Sequence, residues 1–314
     1  MMLARVADSL YWMGRYLERA EHLSRLSSVM MNAALDNTDA AVHTSWIALT
    51  ALGDAESAEI KNAYDAARTL VLDRDNPDSV IAAVTLAREN ARQVRDQLTT
   101  ESWERLNLLY LRLISPDAAR AFDDAAATFL QEIIADLHLF KGASDSTMSH
   151  GEGWRFLSLG SYLERAQLIA RLMEVCFGNQ RQEAITDHIS LMGLLRMACA
   201  LEPYLRVYTA EIEPRHILEF LLFDEDFPRS IRFSTGRMQD DLKALSSQAG
   251  FGDHGPERLA GRLNARLEFA DVSQMLDGAE AGALLSTVVD ECADIHKAIY
   301  EAFVAYPLES KLPA

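Results

Sequence analysis

Leu3, Val6, Leu10, Met13, Leu17 and Ala20 recur at alternating steps of three and four, the spacing that lays one apolar stripe along a helix. The spacing predicts a long first helix over residues 2–35. Similar periodicity, with the helix formers Ala, Leu, Arg and Glu in the gaps, continues through most of the chain, and no run of alternating Val, Ile and Thr interrupts it. The expectation is an all-α fold. Pro116, Pro214 and Pro256 read as first-turn prolines, whose missing amide is harmless at a helix start. Gly142 to Gly153, with Ser144, Asp145, Ser146 and Ser149, is the most linker-like stretch, and Pro203 is expected to kink or divide a helical run from about 183 to 209.

Two stretches nearly repeat each other. Gly14-Arg15-Tyr16-Leu17-Glu18-Arg19-Ala20 answers to Gly160-Ser161-Tyr162-Leu163-Glu164-Arg165-Ala166, and Arg25-Leu26 to Arg171-Leu172 at the same spacing. Further echoes follow in the same order. Asp73-Arg74-Asp75-Asn76-Pro77-Asp78-Ser79 matches Asp224-Glu225-Asp226-Phe227-Pro228-Arg229-Ser230 as Asp-x-Asp-x-Pro-x-Ser, Arg105-Leu106-Asn107 matches Arg262-Leu263-Asn264, and Asp136-Leu137-His138 matches Asp294-Ile295-His296. The reading is two tandem helical repeats, residues 1–150 and 151–314, of about six helices each, packed as one composite helical bundle. Glu18 is then expected to fall on Glu164, and Asp75 on Asp226.

Composition narrows the functions. The 314 residues are 49% hydrophobic and 25% charged, ordinary for a globular chain, so disorder is not the default. A net charge of −17 opposes nucleic acid and anionic membrane surfaces, whose affinity depends on Lys and Arg neutralising phosphate. Cys176, Cys199 and Cys292 are the only cysteines and lack Cys-x-x-Cys spacing, which suggests neither a disulfide framework nor a thiolate zinc site. Met1 to Asp8 carries no basic segment followed by an apolar run, and the expectation is a cytoplasmic, soluble protein.

The candidate chemistry lies on helices. Tyr11, Arg15, Glu18, His22 and Arg25 share one stripe beside the apolar one, with Arg19 further round near Trp12, Tyr16 and Leu23. Such a stripe suits a buried ion pair locking two long helices, or a cleft in which Glu18 and Arg19 bind ligand or move protons. Arg88, Arg92 and Arg95 form a second stripe, read either as surface pairs with Glu89 and Asp96 or as guanidinium forks for a carboxylate or phosphate. Asp75 and Asp226, close before prolines, read first as helix caps and secondarily as Mg²⁺ ligands. No Gly-rich phosphate loop, Gly-x-Ser-x-Gly elbow or His-Glu-x-x-His string is present. Glu213-Pro214-Arg215-His216 is a lone Glu-x-x-His, too little for a di-iron bundle, so no metal and no cofactor is assigned. His138 and His296 are placed at helix packing edges.

Taken together, Leu10 to Glu21, Ala87 to Arg92, Glu152 to Leu157 with Tyr162 to Ala166, and Asp226 to Ser230 resemble the bacterial alpha-E family, all-helical domains named for a Glu-Arg motif. The likeness covers nearly the whole chain, and the motif falls on Glu18-Arg19 and again on Glu164-Arg165. The resemblance implies partnership with a circularly permuted ATP-grasp protein and a transglutaminase-like protein, in pathways that ligate or modify peptides. ATP-grasp enzymes in such pathways activate carboxylates as acyl phosphates for attack by amines.

The leading expectation is a helical component that binds the ATP-grasp partner or its peptide or amino-acid substrate. A stand-alone enzyme using Glu18 or Glu164 as acid or base is the alternative, and a purely structural adaptor is a third reading. Differences between the two stretches sharpen the site. Arg15, His22, Arg88 and Arg95 have Ser161, Leu168, Gln239 and Ser246 as counterparts, Arg92 has Lys243, and Arg229 replaces Asp78. One cleft is therefore expected, lined by Arg15, Glu18 and the Arg88-Arg92-Arg95 face and completed by Arg229, with Arg19 and Arg165 as further binding groups.

Overall fold

A computed structural model describes residues 2–34, 62–177, 187–209, 211–249, 255–270 and 279–305. These form twelve α-helices and no strand, so the fold is all-α among the described residues. In chain order they are α1 (Ala4–Ala34), α2 (Ala63–Leu72), α3 (Val80–Gln93), α4 (Thr100–Ile114), α5 (Ala118–Thr147), α6 (Glu152–Phe177), α7 (His188–Met197), α8 (Leu201–Tyr208), α9 (Pro214–Phe223), α10 (Ile231–Ala249), α11 (Pro256–Glu268) and α12 (Ala279–Ile299). A π-helical turn, Tyr300–Val304, closes the last of them. Among the described residues five helices begin before residue 151 and seven after it, where about six are expected on each side of the whole chain.

Two closed rings of helices organise the packing. α1 packs on α3, α3 on α4, α4 on α5 and α5 back on α1, and likewise α6 on α10, α10 on α11, α11 on α12 and α12 back on α6. The rings share a seam where α1 lies against α6. Because it is enclosed by its own ring and by α6, α1 is buried on nearly every side from Leu10 to Leu26, polar residues included. The expected single stripe survives in Leu10, Met13, Leu17 and Ala20, while Leu3 at the open end is 71% exposed and Val6 is half-buried.

Local chemistry explains the boundaries. The Ser79 hydroxyl accepts the Ala82 amide at the start of α3, and the Ser230 hydroxyl accepts the Phe233 amide at 3.0 Å at the start of α10. The first aspartate of each Asp-Pro turn folds the approach, since Asp73 Oδ1 accepts the Asp75 amide at 2.9 Å and Asp224 Oδ1 accepts the Asp226 amide at 3.0 Å. Asp75 and Asp226 are therefore not the caps; the serine four residues on takes that role.

Pro214 and Pro256 do open α9 and α11, but Pro116 lies outside α5, whose N-cap is Asp117. The stretch from Gly142 is not a linker, because α5 continues to Thr147 and only Met148 to Gly151 separates it from α6. The helical run around Pro203 does divide, at Ala198 to Ala200 rather than at the proline, with Cys199 in the left-handed region at φ 56°. Pro203 sits in the first turn of α8, where a proline is tolerated. Residues 183–186 of that expected run lie outside the described residues.

Candidate functional site

Glycine sets how closely α1 and α6 approach. A Cβ on Gly14 would be driven into the Leu157 carbonyl oxygen, and one on Gly160 into the Tyr11 carbonyl oxygen. Each glycine therefore lets one helix backbone rest on the other. The Ser161 hydroxyl donates to the Gly14 carbonyl at 3.2 Å across the same contact. One turn further along each helix, this proximity brings the two Glu-Arg pairs face to face.

The pairs are reciprocal. Arg165 of α6 reaches Glu18 of α1 in a fork, Nε donating to Oε1 at 2.7 Å and Nη2 to Oε2 at 2.9 Å. In return, Arg19 Nε of α1 donates to Glu164 Oε1 of α6 at 2.8 Å, and Arg15 Nε to Glu164 Oε2 at 2.6 Å. Neither motif pairs internally. Each arginine also ties its helix to an Asp-Pro turn, Arg165 through the Pro228 carbonyl at 2.9 Å and Arg19 through Asp78 at 3.4 Å.

Around Glu18 the network widens. Lys141 of α5 bonds Glu18 Oε2 at 2.6 Å and also Glu21, Arg229 lies 3.5 Å from Glu18 and bonds Glu21, and Arg25 holds Glu21 at 2.9 Å. His138 Nε2 adds a contact to Glu21 at 3.0 Å. Six cations, Arg15, Arg19, Arg25, Lys141, Arg165 and Arg229, thus converge on three carboxylates whose side chains are at most 3% exposed.

This excess decides the protonation states. Burial by itself raises the carboxyl pKa of Glu18, but the charges of Arg165, Lys141 and Arg229 together outweigh it and hold the group well below the carboxylate range. Burial also opposes ionisation of Glu21 and Glu164, and Lys141 with Arg229 in the first case and Arg15 with Arg19 in the second likewise pull the pKa down. His22 goes the other way for a base: burial first, then the Arg229 charge, lowers it to about 4, so it is neutral at pH 7. A proton is hard to place anywhere in this cluster.

Arg15, Glu18, Arg19, Glu164, Arg165 and Arg229 therefore meet in one place, whereas Arg88, Arg92 and Arg95 do not join them. Arg88 bonds Glu89 at 2.7 Å with its guanidinium 4.9 Å from the Tyr110 ring centroid, Arg92 bonds Glu89 at 3.0 Å, and Arg95 donates to the Leu98 carbonyl at 3.1 Å. Arg88 and Arg95 face Trp103 of α4 and Arg92 is 62% exposed, while a different face of α3, Ala83, Ala87 and Ala91, is buried in the bundle. The expected single cleft lined by Arg15, Glu18 and that arginine face is not formed.

Lys141, Glu21 and the Gly14–Gly160 contact are parts of the site that sequence reasoning did not single out. Glu21 lies one helical turn beyond Glu18, which is a readable signal, but nothing local marks Lys141 on α5. His138 on α5 and His296 on α12 both reach α1, His296 through a bond of 2.9 Å between its Nδ1 and the Tyr11 hydroxyl. Among the described residues no group of three His, Cys, Asp or Glu side chains converges as a metal set, and no helix is long and apolar enough to cross a membrane.

The fold and site define a helical module whose two central helices are bound by exchanged Glu-Arg pairs. The chain belongs to the Alpha-E family, "a predicted alpha-helical domain with a conserved ER motif", whose family model matches residues 2–304. It is similar to proteins of Mycobacterium bovis and of two strains of Mycobacterium tuberculosis, each named only as uncharacterized, at 26% identity over 318 aligned positions. The match takes in 94% of this chain and 35% of each relative, so the chain spans about a third of the length of the curated relatives it matches. No solved structure matches it.

Proposed function

We propose that this chain is a non-catalytic helical component of a cytoplasmic, ATP-grasp-associated pathway of peptide or amide ligation, and that it binds the ATP-grasp protein or that protein's substrate. We further propose that it arose by tandem duplication, 1–150 and 151–314. The observation that carries the functional reading is the saturation of both motif glutamates. Glu18 and Glu164 are buried, ionised and bonded to cations from the opposite central helix, an arrangement suited to locking a scaffold and unsuited to giving or taking protons at neutral pH. The mycobacterial relatives add support, since there a similar stretch is joined to a longer chain.

Duplication is supported by the exchanged pairs, by the two helix rings of the same connectivity, and by the matching Ser79 and Ser230 caps. Six cations against Glu18, Glu21, Glu164 and, at Arg19, Asp78 leave two cations in excess, which in a chain of net charge −17 supports a local positive potential at the seam, partly open at Lys141. An anionic group on a partner or substrate suits it.

Co-purification with a circularly permuted ATP-grasp protein from the same genome tests the functional reading. A stable complex, with ligation by the partner faster in its presence, is the expected result. Absence of a complex together with unchanged ligation would overturn it, and product formed from peptide, ATP and amine by this chain alone would establish the enzyme reading in its place.

A further inference from the structure

A groove of about 570 Å³ lies between the start of α6 and the outer face of α10, lined by His150, Trp154, Arg155, Arg237, Asp240 and Lys243. None of these residues belongs to the Glu-Arg network. Its size falls within the range of ligand sites. Three of its lining residues are cationic and one is anionic, against the negative charge of the whole chain.

The cations are held in different ways. Arg155 is anchored from below, its Nη1 donating at 3.1 Å to Asp241, a carboxylate only 2% exposed that also accepts the Ser158 hydroxyl at 2.6 Å. Arg237 Nε is buried and has no hydrogen-bond partner, and among the described residues neither Arg237 nor Lys243 has an ion-pair partner. Beside them the His150 and Trp154 rings are stacked at 3.9 Å, a flat apolar platform at one end of the groove. An exposed Lys243 and a half-buried Arg237, its guanidinium 5.8 Å from the Tyr162 ring centroid, lie next to this platform and can receive an anionic group.

The spacing favours an extended anion. Arg237 and Lys243 are six residues apart on α10, about 9 Å along the helix and about a third of a turn around it, so a ligand with two spaced anionic groups can meet both. Side chains two apart in an extended peptide are about 7 Å from each other and point the same way, close to that spacing. We propose that this groove binds an extended acidic peptide segment, with successive same-face carboxylates on Arg237 and Lys243 and an intervening apolar side chain on the His150–Trp154 platform. The assignment is independent of which protein carries the segment and of the ATP-grasp reading.

Fluorescence anisotropy of a labelled hexapeptide alternating Glu and Leu, compared with its Gln-for-Glu counterpart, tests it. The Glu peptide should bind saturably and lose affinity as salt rises from about 20 to about 200 mM, while the Gln peptide binds much more weakly. Lys243→Glu, a change at an exposed position, should weaken the Glu peptide about tenfold or more, and Arg237→Gln should also weaken it. Arg92→Glu, on the corresponding surface of α3 where the guanidinium already pairs with Glu89, should stay within about twofold of the parent. No saturable binding, or equal losses at Arg92 and Lys243, would overturn the proposal. So would displacement of the peptide by inorganic phosphate at lower concentration than by free Glu peptide, which would mark a site for a compact oxyanion.

Discussion

Glu18→Gln removes one charge from the centre of the network and leaves Arg165, Lys141 and Arg229 facing a neutral amide. Breaking a buried pair on one side costs about 3–5 kcal/mol, because the partner is left desolvated and uncompensated. For 314 residues unfolding as one unit, an unfolding entropy of about 2.1 cal/mol/K per residue amounts to about 0.66 kcal/mol/K. The melting temperature should therefore fall by about 5–8 °C. Glu164→Gln strands Arg15 and Arg19, but Arg19 still has Asp78 to turn to, which puts this variant at the lower end of the range. Glu89→Gln breaks the surface pairs with Arg88 and Arg92, worth at most about 1 kcal/mol, and should move the melt by less than about 2 °C. Differential scanning calorimetry at pH 7.5 reads all three. Adding Arg165→Met to Glu18→Gln removes one stranded cation and should recover part of the loss, a coupling that a merely local packing defect would not show. A Glu18→Gln melt within about 1 °C of the parent would refute the buried-lock reasoning.

Glycine substitutions separate the seam from ordinary helix positions. Gly160→Ala drives a Cβ into the α1 backbone and should cost at least about 2 kcal/mol, whereas Gly142→Ala on α5, with nothing within 4 Å of the added atom, should stabilise by about 0.5–1 kcal/mol; chemical denaturation of the pair checks the opposite signs. Acid should weaken the fold in two stages. His22, with a folded pKa near 4 against about 6.5 unfolded, binds its proton only in the unfolded chain, so stability present above pH 6.5 is lost as pH falls towards 4, by up to about 3 kcal/mol. Below about pH 4.5 the depressed carboxyls of Glu18, Glu21 and Glu164 add a steeper loss. His22→Leu, the residue its counterpart position carries in Leu168, should flatten the first stage and leave the second, as measured by urea midpoints from pH 7.5 to pH 3.5.

Helical periodicity was readable from the sequence because it depends on residues three and four apart, and α1 matches its expected span to within two residues. The Glu-Arg motif was readable as an ion-pair element, but not that each pair is made across the seam. Pairing between Arg165 and Glu18 depends on how deeply two helices approach, and only Gly14 and Gly160, seen in three dimensions, set that depth. Arg88, Arg92 and Arg95 were misplaced for a related reason. A stripe of three arginines looks the same whether its helix turns it towards a cleft or towards α4, and the alanines on a different face of α3 decide the rotation. The Asp-Pro turns were located correctly but their caps were not, since Ser79 and Ser230 compete with Asp75 and Asp226 for the same first-turn amides and sit one turn closer to them.

A cluster of buried ion pairs contributes little net stability over well-packed apolar residues, so stability is a weak reason for its presence. Registration of the seam is a stronger one. A slide of one turn, about 5.4 Å, would bring residues that carry a Cβ to the places where Gly14 and Gly160 now meet a carbonyl oxygen, and it would also break the exchanged pairs. Such a slide would carry Glu18 from Arg165 to the neighbourhood of Ser161 or Leu168, and Glu164 from Arg15 and Arg19 to that of Tyr11 or Leu23. Each stranded carboxylate would then cost about 3–5 kcal/mol, so the displaced register is penalised twice while the native one is roughly neutral. The glycines fix how near α1 and α6 come and, together with the exchanged pairs, where along their length they meet. On the proposed reading, in which a partner is bound, both are needed, because an error of one turn at the seam would displace the Asp78 turn relative to the Arg229 turn and everything carried beyond them.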